Sequence, residues 1–207
     1  MGLRDFWLSK LSIYFAYHRH PHNRLIHAFT EPLLIYCFIL WMSLIDVRST
    51  HPYLRSFYNV GWIYNVITTV FIYLPIDPLT AAIIFFGITG YCALSNTLIQ
   101  LFGGYTCFLL GAGGLLFVLV TQLIIGHHFF EKRFAPRNYA PYNTLVLPQG
   151  VLLGPLFSNG WRPRLAQEIM DSANGYITSN YDPSRAFKVD ISDRAKAASG
   201  RKLRARS

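Results

Sequence analysis

Long apolar runs separated by short polar punctuation dominate the chain. Leu33–Ile45, Val60–Ile76, Leu79–Phe102 and Tyr105–Ile125 are four such runs. A hydrocarbon core takes about 20 apolar residues of helix. The first run is short, with Glu31 and Pro32 at its head, and is still taken as a crossing segment. Asp46–Asn59 is predicted to be a polar loop. Pro75-Ile76-Asp77-Pro78 reads as a tight turn that makes the second and third runs an antiparallel hairpin, and Gly103-Gly104 is the next break. Ahead of the first run, Leu3, Trp7, Leu11, Tyr14 and His18 recur at helical spacing, with Arg4, Asp5 and Lys10 off that stripe, which predicts an amphipathic helix over residues 3–18. Pro21 ends it and opens the next helix. After the fourth run, RNYAPYNTLVLPQGVLLGPLF is apolar but broken by Pro141, Pro148 and Pro155, so a re-entrant or interfacial segment is expected there. The expected fold is an all-α, polytopic membrane helical bundle of about four transmembrane helices plus the N-terminal amphipathic helix. Residues 1–165 form the embedded domain and residues 166–207 a polar and basic tail.

Composition agrees with a bilayer. Hydrophobic residues make up 52% and charged residues 14%, where a soluble domain carries about 25% charged residues. The net charge of +9 is segregated: no Lys or Arg stands between Arg55 and Lys132. That pattern places both termini in the cytosol by the positive-inside rule, with the basic ends near anionic lipid. No basic stripe with interleaved aromatics is present, so nucleic acid is not an expected partner. Cys37, Cys92 and Cys107 lie inside apolar runs without CxxC spacing, and so read as small buried hydrophobes in a reducing setting. The N-terminus lacks the apolar core and cleavage site of a secretory signal. GAGG (Gly111–Gly114) is placed to admit a closely packed neighbouring helix.

Candidate chemistry sits at the ends of the apolar runs. Four of the seven histidines fall within Tyr17–His27, YHRHPHNRLIH, and a second cluster, GHHFFEKRFAP, covers Gly126–Pro136. Four crossings return both clusters to the cytosolic boundary. His18 extends the stripe of the first helix, His27 lies two turns inside the next, and His127 and Glu131, four apart, share a face of a third. Three imidazoles from three elements suit iron, zinc, copper or nickel rather than magnesium or calcium. Each histidine taken singly is also an ordinary interfacial anchor. His20 and His22 read as solvated neighbours, His51 as lying on the opposite face, and His128 as pointing about 100° away from His127. Glu31 repeats the His-x-x-x-Glu spacing with His27, and is taken as a cap or tether ahead of Pro32. Asn65, Asn96, Gln100 and Gln122 are taken as amides that bond neighbouring helices.

YHRHPHNRLIH resembles the Tyr-His-x-x-Pro-x-Asn-x-x-Ile-His pattern of the 2-hydroxy fatty acid dioxygenases, and GHHFFEK resembles their Gly-His-x-x-Phe-Glu-Lys. The four-span layout and the later QGVLLGPLF are similar too, so the resemblance covers residues 6–165. It implies a multi-pass endoplasmic-reticulum membrane enzyme that uses Fe(II) and O₂ to shorten 2-hydroxy fatty acids by one carbon, an α-oxidation step in phytosphingosine breakdown. It implies His18, His27 and His127 as metal-binding residues. Tyr17, Pro21, Asn23, Gly126, Phe130 and Glu131 match the surrounding pattern, with Glu131 either a fourth ligand or a partner that orients a histidine. Phe134–Pro148 is longer than the family's usual link, and the basic tail is not a family feature. Two other classes remain open from the residues alone: another metal-dependent membrane lipid hydrolase or hydroxylase, and a transporter or scaffold with no enzymatic role.

Overall fold

The termini of each helix follow from local chemistry. In a computed structural model, which describes residues 2–45, 59–132 and 140–180, all regular structure is helical. Helix α1 (Leu3–Tyr17) begins where the Asp5 carboxylate accepts the Gly2 N–H at 3.2 Å. Helix α2 (Pro21–Ser43) starts with His20, whose Nδ1 accepts the His22 N–H, and with Pro21 in the first turn as expected. Asn59 Oδ1 caps α3 (Val60–Ile76) by accepting from the Trp62 N–H at 2.9 Å, and Asp77 caps α4 (Pro78–Phe102) by accepting from the Thr80 N–H at 3.0 Å. Gly103, at φ 80°, supplies the one sharp turn between α4 and α5 (Gly104–Glu131). Helices α6 (Ala140–Ser158) and α7 (Pro163–Asn180) complete the described chain.

Three helices, α2, α4 and α5, are long and apolar enough to cross a membrane. Their outward faces are rich in exposed Leu, Ile and Phe, among them Phe29, Phe86, Leu116 and Phe117. Such a surface is compatible with a hydrocarbon surrounding. Helices α2 and α5 run antiparallel: contacts pass from Trp41–Phe108 through Cys37–Gly114 and Thr30–Gln122 to Asn23–Gly126. The glycines of α5 make this approach possible, as the sequence predicts. A Cβ on Gly111 would strike the Trp41 indole, and one on Gly114 would stand 2.6 Å from Cys37 Sγ. Gly113, between them, faces open space. Gly111→Leu is therefore expected to cost more than the roughly 1–3 kcal/mol typical of overpacking, while Gly113→Leu is neutral. Thermal unfolding of both variants in detergent checks this.

Several expectations change. Helix α2 runs unbroken through Glu31 and Pro32, so the first helix long enough to cross a membrane has 23 residues rather than the short Leu33–Ile45 run. Proline removes one hydrogen bond from a helix, yet the helix persists here because α2 packs on α5, α4 and α6 along its length. Helix α5 changes geometry at Thr121 and continues as a π-helix through Glu131. Helix α6 is helical across Pro148 and Pro155 and lies against α1, with Gly150 closely covered by the Tyr14 ring. Helix α1 is enclosed on more than one side. Trp7, Leu11, Tyr14 and His18 of the expected stripe are buried, but so are Leu8, Ser12, Phe15, Ala16 and Tyr17, and Leu3 is exposed. Helix α7 crosses the expected boundary at residue 165. Leu165, Ala166, Ile169, Met170, Ala173 and Ile177 join the core, and Arg4 meets Glu168 at 3.0 Å. The packed unit thus extends past residue 165. The Asp46–Asn59 loop, apart from Asn59, and the Ser192–Ser207 tail lie outside the described residues.

Candidate metal centre

Helices α1, α2 and α5 each deliver one histidine to a common point. His18 is the residue that ends α1, and its backbone N–H and its Nδ1 both face the Tyr14 carbonyl, at 3.1 and 2.7 Å. Its ring stacks on Tyr14 with centroids 4.1 Å apart. His27 is in the second turn of α2 and His127 in the π segment of α5. The three rings lie 4.3 to 5.4 Å apart, centroid to centroid. All three are buried, at 1%, 2% and 5% exposure. One nitrogen from each falls within 4.8 Å of the others.

The hydrogen-bond partners fix how two of the imidazoles are protonated. A carbonyl can only accept, so His18 carries its proton on Nδ1. Glu31 Oε1, 3.2 Å from His27 Nδ1, accepts the corresponding proton of His27. Both Nε2 atoms then present lone pairs to each other across 3.2 Å. That apposition is repulsive unless a cation, a metal ion or a proton, lies between them. Two imidazole nitrogens about 2.0–2.1 Å from one ion, at tetrahedral or octahedral angles, stand about 2.8–3.4 Å apart, which the His18–His27 pair, at 3.2 Å, already satisfies. Burial, together with the neighbouring His27 and His127, holds the His18 pKa well below the ordinary imidazole value, so the ring stays neutral and able to ligate. A buried three-histidine group of this kind fits a metal ion.

Carboxylates support the group from two directions. Glu31, 1% exposed, is also held through Oε1 by the Gln122 amide at 2.9 Å, and that amide bonds Thr30 Oγ1 at 2.8 Å. The chain His27–Glu31–Gln122 ties the ligand of α2 to the π segment that carries His127. Such outer partners set ring orientation and raise ligand basicity. Glu131, 8% exposed, accepts the His20 backbone N–H at 2.6 Å and the Asn23 amide at 3.4 Å, and so fastens the start of α2 to the end of α5. A Cβ on Gly126 would collide with Asn23 Oδ1, so only glycine lets that seam close. A cation held at the triad would offset the two buried carboxylates.

Of the residues selected from sequence, His18, His27 and His127 converge, and Glu131 sits beside them on the backbone of His20. His20 and His22 rest against Phe130, and His128 is exposed. His51 lies outside the described residues. Glu31 is more than the expected cap or tether: it holds α2 to α5 through the Gln122 amide and also meets His27 Nδ1. The repeated His-x-x-x-Glu spacing was the available signal. Gln122 bonds a neighbouring helix, as expected of an amide in an apolar run, and its partner is the Glu31 carboxylate behind His27. The π geometry of residues 121–131 has no signature in the sequence; π segments are rare and frequent at functional sites. No family model, characterised protein or solved structure matches the chain.

Proposed function

We propose that the protein is an Fe(II)-dependent dioxygenase of 2-hydroxy fatty acids, set in the endoplasmic-reticulum membrane with both termini cytosolic. The observation that carries this reading is the meeting of His18, His27 and His127, with two Nε2 atoms 3.2 Å apart, on the two segments that resemble that family's motifs. In this topology α3 is a fourth crossing helix. Its 17 residues span about 25 Å at 1.5 Å per residue, just short of a hydrocarbon core of about 30 Å. Helix α1 lies across the cytosolic mouth of the bundle.

His18, His27 and His127 would hold the ion, and Glu31 and Glu131 keep the site's charge low. Bound iron would supply Lewis-acid polarisation and the electrons that O₂ chemistry requires. The protein's part is placement. The Tyr14 carbonyl and Glu31 lock the His18 and His27 tautomers, Gln122 locks Glu31, and Glu131 with Asn23 closes the α2–α5 seam. Burial keeps water from the reacting atoms. The overall change balances as 2-hydroxy acid plus O₂ giving the acid one carbon shorter, carbon dioxide and water. Anaerobic loading of the purified protein with Fe(II), followed by O₂ and 2-hydroxypalmitate, tests the proposal. Stoichiometric O₂ consumption with appearance of the C15 acid is the expected result. A protein that binds iron but leaves 2-hydroxypalmitate intact would overturn it.

A further inference from the structure

Between the start of α2 and the second half of α6 lies a cavity of about 270 Å³. None of the three clustered histidines lines it. Its floor is Tyr14 with Gly150 and Gly154, all buried, and the Tyr14 ring stacks on His18 with centroids 4.1 Å apart. The glycines make the space. A Cβ on Gly150 would stand 2.6 Å from the Tyr14 ring, and one on Gly154 would stand 3.3 Å from Arg24 Nη2. The rim, formed by Pro21, Leu25, Pro155 and Ser158, is exposed. Arg24 is partly buried and is the only charged residue among the described ones that line the cavity. Leu25, Ala28, Val151 and Pro155 make one wall apolar. That wall runs on to Phe29, 76% exposed and one turn beyond Leu25 on α2.

We propose that this cavity holds the head of a membrane phospholipid whose phosphodiester pairs with Arg24 and whose outer head group is an uncharged polyol, the phosphatidylinositol or phosphatidylglycerol class. The proposal requires α2 to cross a bilayer; it does not require iron or O₂ chemistry. Arg24 stands three residues after Pro21, about 4.5 Å along the axis at 1.5 Å per residue, which is headgroup depth for a spanning helix. A guanidinium presents paired N–H donors that match two phosphate oxygens. One phosphodiester charge meets one cation, whereas the second charge of a phosphate monoester has no partner in the lining. An ammonium or choline head calls for a carboxylate, and none of the described lining residues supplies one. Ser158 Oγ donates to the Gly154 carbonyl at 3.1 Å and so keeps only acceptor capacity, which suits a polyol hydroxyl. At about 30 Å³ per water-sized group the cavity takes about nine groups, enough for the phosphate and part of a polyol and short of an acyl chain of about sixteen carbons. The chains therefore lie outside, along Leu25 and Phe29.

The test is native mass spectrometry of the delipidated full-length protein in detergent. It is titrated with phosphatidylinositol, with phosphatidylcholine of the same chains, and with the soluble head glycerophosphoinositol. One phosphatidylinositol should bind at least tenfold more tightly than either of the others. Arg24→Gln should lower that affinity at least tenfold. Gly154→Leu should do the same while keeping the charge, because it fills the cavity; the nearest neighbour of its Cβ is the tip of the flexible Arg24 side chain, so the backbone need not move. Arg164→Ala, on an exposed residue of α7 that does not line the cavity, should bind as wild type. Both cavity variants should unfold at the wild-type temperature in lipid-free detergent, and either one alone carries the test. Equal binding of phosphatidylcholine, or a Gly154→Leu protein that binds phosphatidylinositol as wild type does, overturns the site and leaves Arg24 as a general attractor of anionic lipid. Glycerophosphoinositol that binds as tightly as the whole lipid overturns the lipid source in favour of a soluble phosphodiester. A protein that binds phosphatidylinositol as expected but leaves 2-hydroxypalmitate intact keeps this site and loses the dioxygenase reading.

Discussion

His127→Ala is expected to abolish metal-dependent stabilisation of the bundle. In wild-type protein, anaerobic addition of Fe(II) should raise the unfolding temperature in detergent, because an ion bound only by the folded state stabilises it by RT ln(1 + [L]/Kd). Removal of an outer partner of a metal ligand typically weakens binding about 10- to 100-fold. Removal of a ligand itself, one of only three imidazoles, should exceed that range. The metal-dependent shift, the iron retained through purification and any 2-hydroxypalmitate turnover should all vanish together. The metal-free protein should tolerate the same change well, since the variant also relieves the crowding of three buried rings. His128→Ala, next in sequence but exposed, is the matched control and should behave as wild type. A His127→Ala protein that takes up iron as wild type does would remove the metal centre from consideration.

Much of this arrangement is legible in the sequence because long apolar runs follow simple rules. The apolar runs, the turn at Asp77 and the break at Gly103 appear where hydropathy and turn chemistry put them, since a long apolar run that satisfies its own backbone has few alternatives to helix. The two histidine clusters can be paired from topology alone. Hydropathy fails at Glu31 and Pro32, which look like an interruption. Glu31 is admitted to the helix because its charge is spent on His27 and Gln122, and Gln122 is 91 residues away, a partnership no local pattern contains. The π segment is hidden for a related reason: a shift of backbone hydrogen bonding by one residue leaves composition and apolar spacing nearly unchanged. Helix α7 is a different case. Leu165, Ile169, Met170, Ala173 and Ile177 recur at three- and four-residue intervals, and this amphipathic face is visible in the sequence. Its polar average hides it when the region is judged by composition instead of period.

Glu31→Ala is the substitution that separates a metal-orienting carboxylate from a structural one. The change strips the acceptor from the His27 Nδ1–H and from the Gln122 amide. Each buried donor left without a partner costs about 1–3 kcal/mol. It also removes a buried carboxylate whose second oxygen has no partner among the described residues, and that removal is favourable when no cation is present. In the metal-free protein the two effects oppose each other, and the net change in stability should be small. With metal bound, the carboxylate is matched by a cation and its loss is not offset. Affinity for the ion should fall about 10- to 100-fold, so the stability gap between the metal-bound and metal-free forms should narrow by about 1.4–2.8 kcal/mol at saturating metal. Glu31→Gln keeps an oxygen for His27 but not the charge, and should fall between alanine and wild type. Paired unfolding curves with and without Fe(II), or with Co(II) as a stand-in less sensitive to air, give the gap directly. An unchanged gap in Glu31→Ala would show that the carboxylate serves only the packing of α2 against α5, and that the orientation of His27 is set by something else.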